Sequence, residues 1–275
     1  MDCYTNFRES ITEVLLIAAS AEDSLADRSP QGRLQGNAMA RAGLVLLCGY
    51  LEGYIKDIVE EFIESLNDEK VGVNELPPYL FCSIIEPLAA SHKKSPGSTI
   101  LEDFRSSVIN NQAQKLDSKR LSKTGGNPTV DTIESIFLNI GIPQIIDKLS
   151  ISDYGVTSTY TQENQADHLR SEIEEALKES TGTESAVVLE SILSVINKKW
   201  TPTTKRRKVG YVSGIEELLK RRNRIAHGEN KDQITPAELF DAIAMVDSLT
   251  NSINVLVDSL LDGLTNVKPA TVLTV

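Results

Sequence analysis

Cysteine is scarce in this sequence. Cys3, Cys48 and Cys82 are its three cysteines among 275 residues, an odd number with no paired spacing. They match neither a disulfide framework nor the Cys/His spacing of a zinc module, which excludes the small secreted scaffolds that such patterns define. Three unpaired thiols suit a reducing compartment, so we expect a cytoplasmic protein.

Long hydrophobic runs are also missing. The longest, Ala42–Leu51, has ten residues and includes two glycines, whereas a membrane-spanning helix needs about 20 apolar residues. The first residues include Asp2 and Glu9 rather than a basic region followed by an apolar run, so no secretory leader is expected. We therefore predict a soluble chain without a membrane partner.

Acidic residues outnumber basic ones, and the net charge is −11. This balance argues against a nucleic-acid partner until the positions are considered. The window 198–224 holds ten basic residues against Glu216 and Glu217 alone, so it carries +8 while the rest of the chain carries −19. A concentrated basic patch on an acidic body can attract phosphates locally. The alternative is a solvated run of surface charge.

Apolar positions, which make up 40% of the chain, are enough for a sizeable core in one or two domains. They recur with helical spacing nearly everywhere. A first amphipathic helix, with Phe7 and Ile11 on its apolar face, ends before Pro30 and Gly32. A second and longer helix is expected from about Asn37 to Leu66.

Proline and glycine punctuate the region from about Asp68 to Val212, which predicts shorter helices there. Asn127 followed by Pro128 suits an N-cap and a first helical position, and Gly141 suits the residue after that helix. The stretch Ser150–Gln165, rich in Ser, Thr and Tyr, is expected to be a loop or a small irregular element.

Two further helices are expected near the end of the chain. In the first, Leu218 and other apolar residues keep helical spacing, Arg222 falls on the same stripe, and Gly228 is placed to end the helix. Thr235–Glu238 predicts a capping box with proline at the first helical position. Gly263 is expected to end the last helix.

The segment from Arg222 to His227 carries the main functional signal. An unpaired guanidinium on a buried stripe is costly and usually has a reason to be there. Asn223 and His227 are four residues apart on one helix face, where the amide can orient the ring. On a straight helix Arg222 and His227 point about 140° apart. They can reach one site only if the helix ends at His227 or if two chains contribute.

Arg222-Asn223-x-x-Ala226-His227, followed by Gly228, resembles the Arg-x4–6-His signature of the HEPN superfamily of helical ribonucleases. The upstream run Leu46–Tyr54 is similar to the second helix of the HEPN branch found in bacterial toxin and defence islands. Gly126–Pro128 and Leu138–Ile142 resemble that branch more loosely.

The resemblance implies an all-α protein built on a four-helix bundle formed by residues 1–68 and 210–265. Residues 69–209 are then a long helical insertion between the second and third core helices, and a candidate for substrate or partner recognition. Residues 266–275 are left as a tail. Such bundles are often homodimeric.

The resemblance also implies an endoribonuclease that works without a metal or other cofactor, as a toxin or antiviral defence effector. Its substrate would be tRNA or mRNA, and an antitoxin or defence partner protein is possible. Cleavage needs a base for the 2′-OH, an acid for the leaving 5′-oxygen and a cation beside the phosphorane. His227 can act as acid or base because imidazole titrates near neutrality, and Arg222 offers a planar fork to phosphate oxygens. Asn223 completes the catalytic set, and a two-fold dimer would supply a second histidine.

The basic residues around this motif are expected to hold the RNA backbone. They are Arg221, Arg224, Lys205, Arg206, Arg207 and Lys208. Trp200 is a candidate for stacking a base, although a lone tryptophan more often lies in the core. Glu52 is expected to support the site by pairing with Arg222, and a purely structural bridge is an equal alternative.

Two alternatives and one departure from the family pattern stay open at this point. Arg222 and His227 can instead form a helix-end ion pair or cap the last carbonyls of the helix. The whole protein can be a non-catalytic dimeric module that binds RNA, a nucleotide or a protein partner with the same fold and patch. Some HEPN toxins carry a modifiable tyrosine two residues after the histidine, and Glu229 stands there in this chain. Neutralisation by that route is therefore in doubt.

Overall fold

The computed structural model describes residues 2–95, 98–124, 126–162, 204–228 and 234–266, together with a few helical positions between 173 and 192. Apart from one two-stranded ribbon and a short 3-10 turn, its regular elements are α-helices, which confirms the all-α class. No helix in this part of the chain is both long and apolar enough to cross a membrane.

The elements with described bounds follow one another along the chain. They are α1 (Asp2–Ala26), α2 (Pro30–Asp68), a 3-10 turn (Val73–Glu75), α3 (Pro78–Lys94), α4 (Ile100–Ile109), α5 (Ser118–Leu121), α6 (Val130–Asn139), α7 (Ile145–Tyr154), β1 (Tyr160–Gln162), β2 (Thr204–Arg206), α8 (Tyr211–Ala226) and α9 (Pro236–Thr265).

Helices α1, α2, α8 and α9 form the expected four-helix bundle. The longest of them, α2, contacts each of the other three. Its buried positions recur every three or four residues, as the periodicity predicted, and side chains such as Leu47, Leu51 and Ile55 are completely excluded from solvent. Each such side chain contributes about 1.5–3 kcal/mol through burial, so α2 is the centre of the core.

The start of α2 differs from the expectation. The helix begins at Pro30 rather than near Asn37, because Ser29 caps it by accepting a hydrogen bond from the Gly32 amide at 2.9 Å. Gly36 faces α1 so closely that a Cβ there would lie 2.6 Å from the Leu25 side chain. Gly32 and Gly36 therefore allow α2 to pack closely against α1, and they do not mark a linker between the two helices.

Helices α6 and α7, which belong to the region 69–209, pack into the core of the bundle. Ile133 and Phe137 of α6 and Ile146 of α7 are fully buried and belong to the same hydrophobic cluster as α2. The helix that was expected to begin at Asn127 and Pro128 instead has Thr129 as its N-cap. Gly141 follows that helix as predicted, with φ of 91°.

Two other boundaries were wrong. The stretch Ser150–Gln165 is less irregular than expected, because α7 continues to Tyr154 and β1 occupies Tyr160–Gln162. The last helix runs past Gly263 and ends at Thr265. The capping box at its start is confirmed, with Thr235 and Glu238 each accepting a hydrogen bond from the backbone of the other.

Tyr211 fixes the first residue of α8 to its neighbours. Its ring is fully buried, its amide donates to the Ser150 hydroxyl at 3.1 Å, and its own hydroxyl donates to the Asp153 carboxylate at 2.6 Å. The same hydroxyl lies 2.8 Å from Ser248 of α9. Burial, followed by the hydrogen bond to Asp153, raises the pKa of the Tyr211 phenol. The start of α8 is thus tied to α7 and α9.

The β-ribbon is held against α6 and α7 by polar contacts. Tyr160 pairs with Arg206 across the strands, and the guanidinium lies over the tyrosine ring at 4.7 Å and 3.4 Å from Glu134. Asp147 of α7 accepts a hydrogen bond from the Thr159 hydroxyl at 2.7 Å. Burial acts to raise the pKa of Asp147, but the hydrogen bonds from Thr159 and Ser158 outweigh it and lower that pKa.

Replacing Tyr211 with phenylalanine should lower the free energy of unfolding by about 1–2 kcal/mol, because the ring still fills the core while a hydrogen bond to a carboxylate is lost. Chemical denaturation monitored by circular dichroism measures this. Tyr154→Phe is the matched control, since Tyr154 is 49% exposed and its hydroxyl makes no hydrogen bond within the described residues. Equal effects of the two substitutions would contradict the anchoring role.

Replacing residues 163–203 with Asn-Gly should leave the bundle folded. The strands already pair from Gln162 to Thr204, and an Asn-Gly turn closes a two-residue hairpin. Thermal unfolding of the shortened protein should stay cooperative, with its helical signal reduced only by the deleted part. Loss of cooperativity would show that the bundle depends on the deleted residues.

Candidate active site

The last turn of α8 presents His227 at the end of the helix. The helix ends at Ala226, His227 is its C-cap, and the His227 amide donates to the Asn223 carbonyl at 3.0 Å. Gly228 follows with φ of 72°, the left-handed conformation expected of a residue that terminates a helix. The His227 side chain is exposed, with no hydrogen-bond partner among the described residues. The helix therefore ends at His227, which is one of the two conditions under which Arg222 and His227 were expected to reach a common site.

Arg222 lies on the inner side of the same turn. It is half-buried, as its stripe position predicted, and its guanidinium donates to the Asn223 side-chain oxygen at 3.1 Å. Burial raises the pKa of the Cys48 thiol on α2 to about 12, and the nearby positive charge of Arg222 partly offsets that rise. The last turns of α8 pass close to α2 at this level, where the Cys48 thiol lies 4.0 Å from the Leu218 carbonyl.

Asn223 receives a second contact from outside the bundle. Its side-chain oxygen also accepts a hydrogen bond from the Asn127 amide at 3.5 Å. Asn127 was not predicted from the sequence to be a site residue. The loose resemblance of Gly126–Pro128 to the same branch was the one signal that could have indicated it.

Glu52 does not pair with Arg222 in the described part of the chain. Its carboxylate instead accepts a hydrogen bond from the Thr124 hydroxyl at 3.5 Å, and its side chain is half-buried. Thr124 and Asn127 both belong to the loop between α5 and α6. Glu52 is therefore connected to the motif by this loop, which contacts both Glu52 and Asn223, and not by the expected ion pair with Arg222.

A groove with a volume of about 880 Å³ runs along α8 and ends at Asn223. Its other wall is the start of α6, and Val130, Ile215 and Leu219 supply apolar lining. A smaller cavity of about 240 Å³ lies between α2, α8 and α9, and its lining includes none of Arg222, Asn223 and His227. The larger groove is therefore the one that adjoins the motif.

The described part of the basic window, residues 204–224, is more neutral in space than along the chain. Lys208 lies 2.7 Å from Glu216, and Arg221 lies 2.9 Å from Glu217. Further ion pairs link Arg221 to Glu238 at 3.0 Å, Lys220 to Glu217 at 3.9 Å and Arg206 to Glu134 at 3.4 Å. Carboxylates from α6, α8 and α9 surround the cations, which the count along the sequence could not show.

The cations expected to contact RNA differ in exposure. Lys205, Arg207 and Lys208 are exposed, whereas Arg206 turns toward Glu134 and Tyr160 and has only 19% of its side chain accessible. Arg221 and Arg224 are half-buried. Lys198 and Lys199 of the basic window, together with Trp200 and Glu229, lie outside the described residues.

The model of the RiboL-PSP-HEPN family matches residues 6–259, which covers α2, α8, most of α1 and α9, and the region between α2 and α8. Searches of curated proteins and of solved structures found no match. The HEPN resemblance inferred from the Arg-x4-His segment is confirmed by this match, and HEPN domains are all-α and generally ribonuclease-like. The chain belongs to the RiboL-PSP-HEPN family.

Proposed function

We propose that this protein is a metal-independent endoribonuclease that uses Arg222 and His227 as its catalytic pair in a homodimer. The observation that carries the proposal is the end of α8, where an exposed imidazole follows five residues after an arginine and four after an asparagine, and these two side chains are joined by a hydrogen bond. A role as a toxin or antiviral defence effector in the cytoplasm is part of the proposal and rests on the resemblance of Leu46–Tyr54.

The chemistry assigns one task to each side chain. The ribose 2′-oxygen attacks the adjacent phosphorus while a base removes its proton, and the bond from phosphorus to the 5′-oxygen breaks as that oxygen takes up a proton. His227 acts as acid or base. Arg222 stabilises the charge on the phosphorane oxygens. Because each chain has one such histidine, the partner's His227 is proposed to perform the second proton transfer.

An exposed stripe on α2 supports the proposed dimer. Val45 and Leu46 are 36% and 38% accessible, and a Cβ added at Gly49 or Gly53 would meet no atom within 4 Å. Glycine inside a helix costs about 1 kcal/mol relative to alanine. A partner backbone approaching closely would explain why that cost is tolerated here.

This stripe lies at the same level of the bundle as the motif. Gly49 follows Cys48, which contacts the Leu218 carbonyl of α8, and Gly53 follows Glu52, which contacts the loop that also reaches Asn223. A second copy packed on the stripe would therefore bring its own motif toward the same region. Isologous contact of this kind is the usual geometry of a homodimer.

Five basic residues are proposed to hold the RNA backbone along the groove. Lys205 lies on β2, Arg207 and Lys208 follow that strand, and the half-buried Arg221 and Arg224 lie on α8. Arg206 is assigned a different task from the one expected, because its pairing with Glu134 and Tyr160 fixes the ribbon beside the groove. An RNA phosphate must compete with carboxylates at Lys208 and Arg221.

The purified protein should cleave RNA in the presence of EDTA and leave a 2′,3′-cyclic phosphate on the upstream fragment, because internal attack by the 2′-OH needs no activated water. His227→Ala should lower the cleavage rate by at least about 100-fold, the usual contribution of a positioned acid or base. RNA with a 2′-O-methyl group at the cut site should resist cleavage. Fragment ends are identified by mass spectrometry.

His92→Ala is the matched control, because His92 lies on α3 away from α8, and this variant should cleave as the wild type does. Cleavage that requires a divalent ion and gives 5′-phosphate ends would contradict the proposed roles. If no RNA is cut, and His227→Ala binds RNA as the wild type does, the alternative of a non-catalytic binding module is correct.

Leu46→Glu should convert the dimer to a monomer by placing an uncompensated carboxylate in the interface, raising the dissociation constant at least tenfold, equivalent to about 1.4 kcal/mol. Leu34→Glu is the control, since Leu34 is 64% accessible on the same helix but outside the stripe. Sedimentation velocity measures both. A Leu46→Glu protein that remains dimeric would move the interface elsewhere.

A further inference from the structure

The loop between α5 and α6, residues 122–129, connects two helices of the bundle at the motif. Thr124 donates to Glu52 of α2, and Asn127 donates to Asn223 of α8, each at 3.5 Å. These two contacts lie three residues apart on one loop. Its position is therefore tied to both sides of the candidate site.

The backbone at Asn127 is held in place by the residues that follow it. Pro128 is buried, and the Thr129 amide donates to the Asn127 carbonyl at 2.8 Å. Thr129 also caps α6 by accepting a hydrogen bond from the Thr132 amide at 3.2 Å. Because α6 is packed in the core, the start of this helix fixes the position from which the Asn127 side chain contacts α8.

The two donors determine which way the Asn223 amide faces. A guanidinium has only donors, so the side-chain oxygen of Asn223, and not its nitrogen, must face Arg222. The Asn127 NH2 group donates to the same oxygen, which uses its second lone pair. The Asn223 NH2 group must then lie on the opposite side of the amide, and Asn223 lines the groove.

We propose that Asn127 is a positioning residue, which holds the Asn223 amide so that its NH2 group is offered to the groove. The ligand of that group is an oxygen acceptor, either a phosphate oxygen or a base carbonyl of the bound RNA. The effect on catalysis rests on the proposed ribonuclease function, whereas the orientation of the amide does not.

Different substitutions at residue 127 should act differently. Asn127→Ala removes one of the two donors and leaves Arg222 alone to orient the amide. Asn127→Asp places a carboxylate oxygen against the Asn223 side-chain oxygen. The new carboxylate repels that oxygen and also attracts the Arg222 guanidinium. Asn127→Asp should therefore perturb the site more than Asn127→Ala, whereas a role limited to filling space would favour the nearly isosteric aspartate.

The kinetic test is a double-mutant cycle between residues 127 and 223, measured as kcat and KM on a single-stranded RNA. We expect Asn127→Ala to lower kcat about tenfold, as expected for one hydrogen bond of about 1.4 kcal/mol, with the melting temperature nearly unchanged. Asn127→Asp should lower kcat further. In an Asn223→Ala background, Asn127→Ala should have no additional effect.

Asn139→Ala is the matched control. Asn139 belongs to α6, and its amide donates to the Leu121 carbonyl at 3.4 Å, a contact of similar length that does not touch α8. This variant should keep the wild-type kcat. Additive losses in the cycle, or equal losses for Asn139→Ala and Asn127→Ala, would overturn the proposal.

A second readout is independent of RNA cleavage. In protein labelled with 15N-asparagine, the Asn223 side-chain NH2 signals are assigned by their loss in Asn223→Ala. They should shift in Asn127→Ala and not in Asn139→Ala. If the wild-type protein cuts no RNA but these signals respond as expected, the ribonuclease proposal fails and the positioning of Asn223 stands. Signals that do not respond to Asn127→Ala would overturn the positioning.

Discussion

Burial of α2 is the constraint on which the rest of the structure depends. The helix contacts the other three bundle helices and also α5 and α6, so each of these elements is placed by its fit to one apolar surface. α8 is confined between α2 and α9, and Tyr211 fixes its first residue. With its start and its inner face held, α8 places Arg222, Asn223 and His227 at its C-terminal end.

Much of the fold was accessible from the sequence because apolar periodicity reports burial directly. The stripes of α1, α2, α8 and α9 were predicted because each lies against the core along most of its length. The start of α2 was not, since Gly32 and Gly36 indicate either a linker or a close helix contact, and only the position of α1 decides between them. The cap of α6 was misplaced because Asn127 and Thr129 are both good N-cap residues.

The candidate site was predictable only where it is local in sequence. The Arg222–His227 segment and the terminating Gly228 lie within one stretch of chain, and their residue types indicate their chemistry. Asn127 and Glu238 are brought to α8 by tertiary packing. The contact of Asn127 with Asn223 and the ion pair of Glu238 with Arg221 could therefore not be inferred from sequence spacing. The expected pairing of Glu52 with Arg222 was wrong for the same reason, because the loop at Thr124 lies beside that carboxylate.

The ion pairs on α8 have a consequence for selectivity. Lys208 and Arg221 are already neutralised by Glu216, Glu217 and Glu238. A small anion that displaces one of these carboxylates exchanges one ion pair for another and gains little net free energy. A polyanion that engages several cations at once also releases its own condensed counterions. Under the proposed RNA-binding function, these carboxylates would therefore weaken binding of isolated phosphates far more than binding of a continuous charged strand.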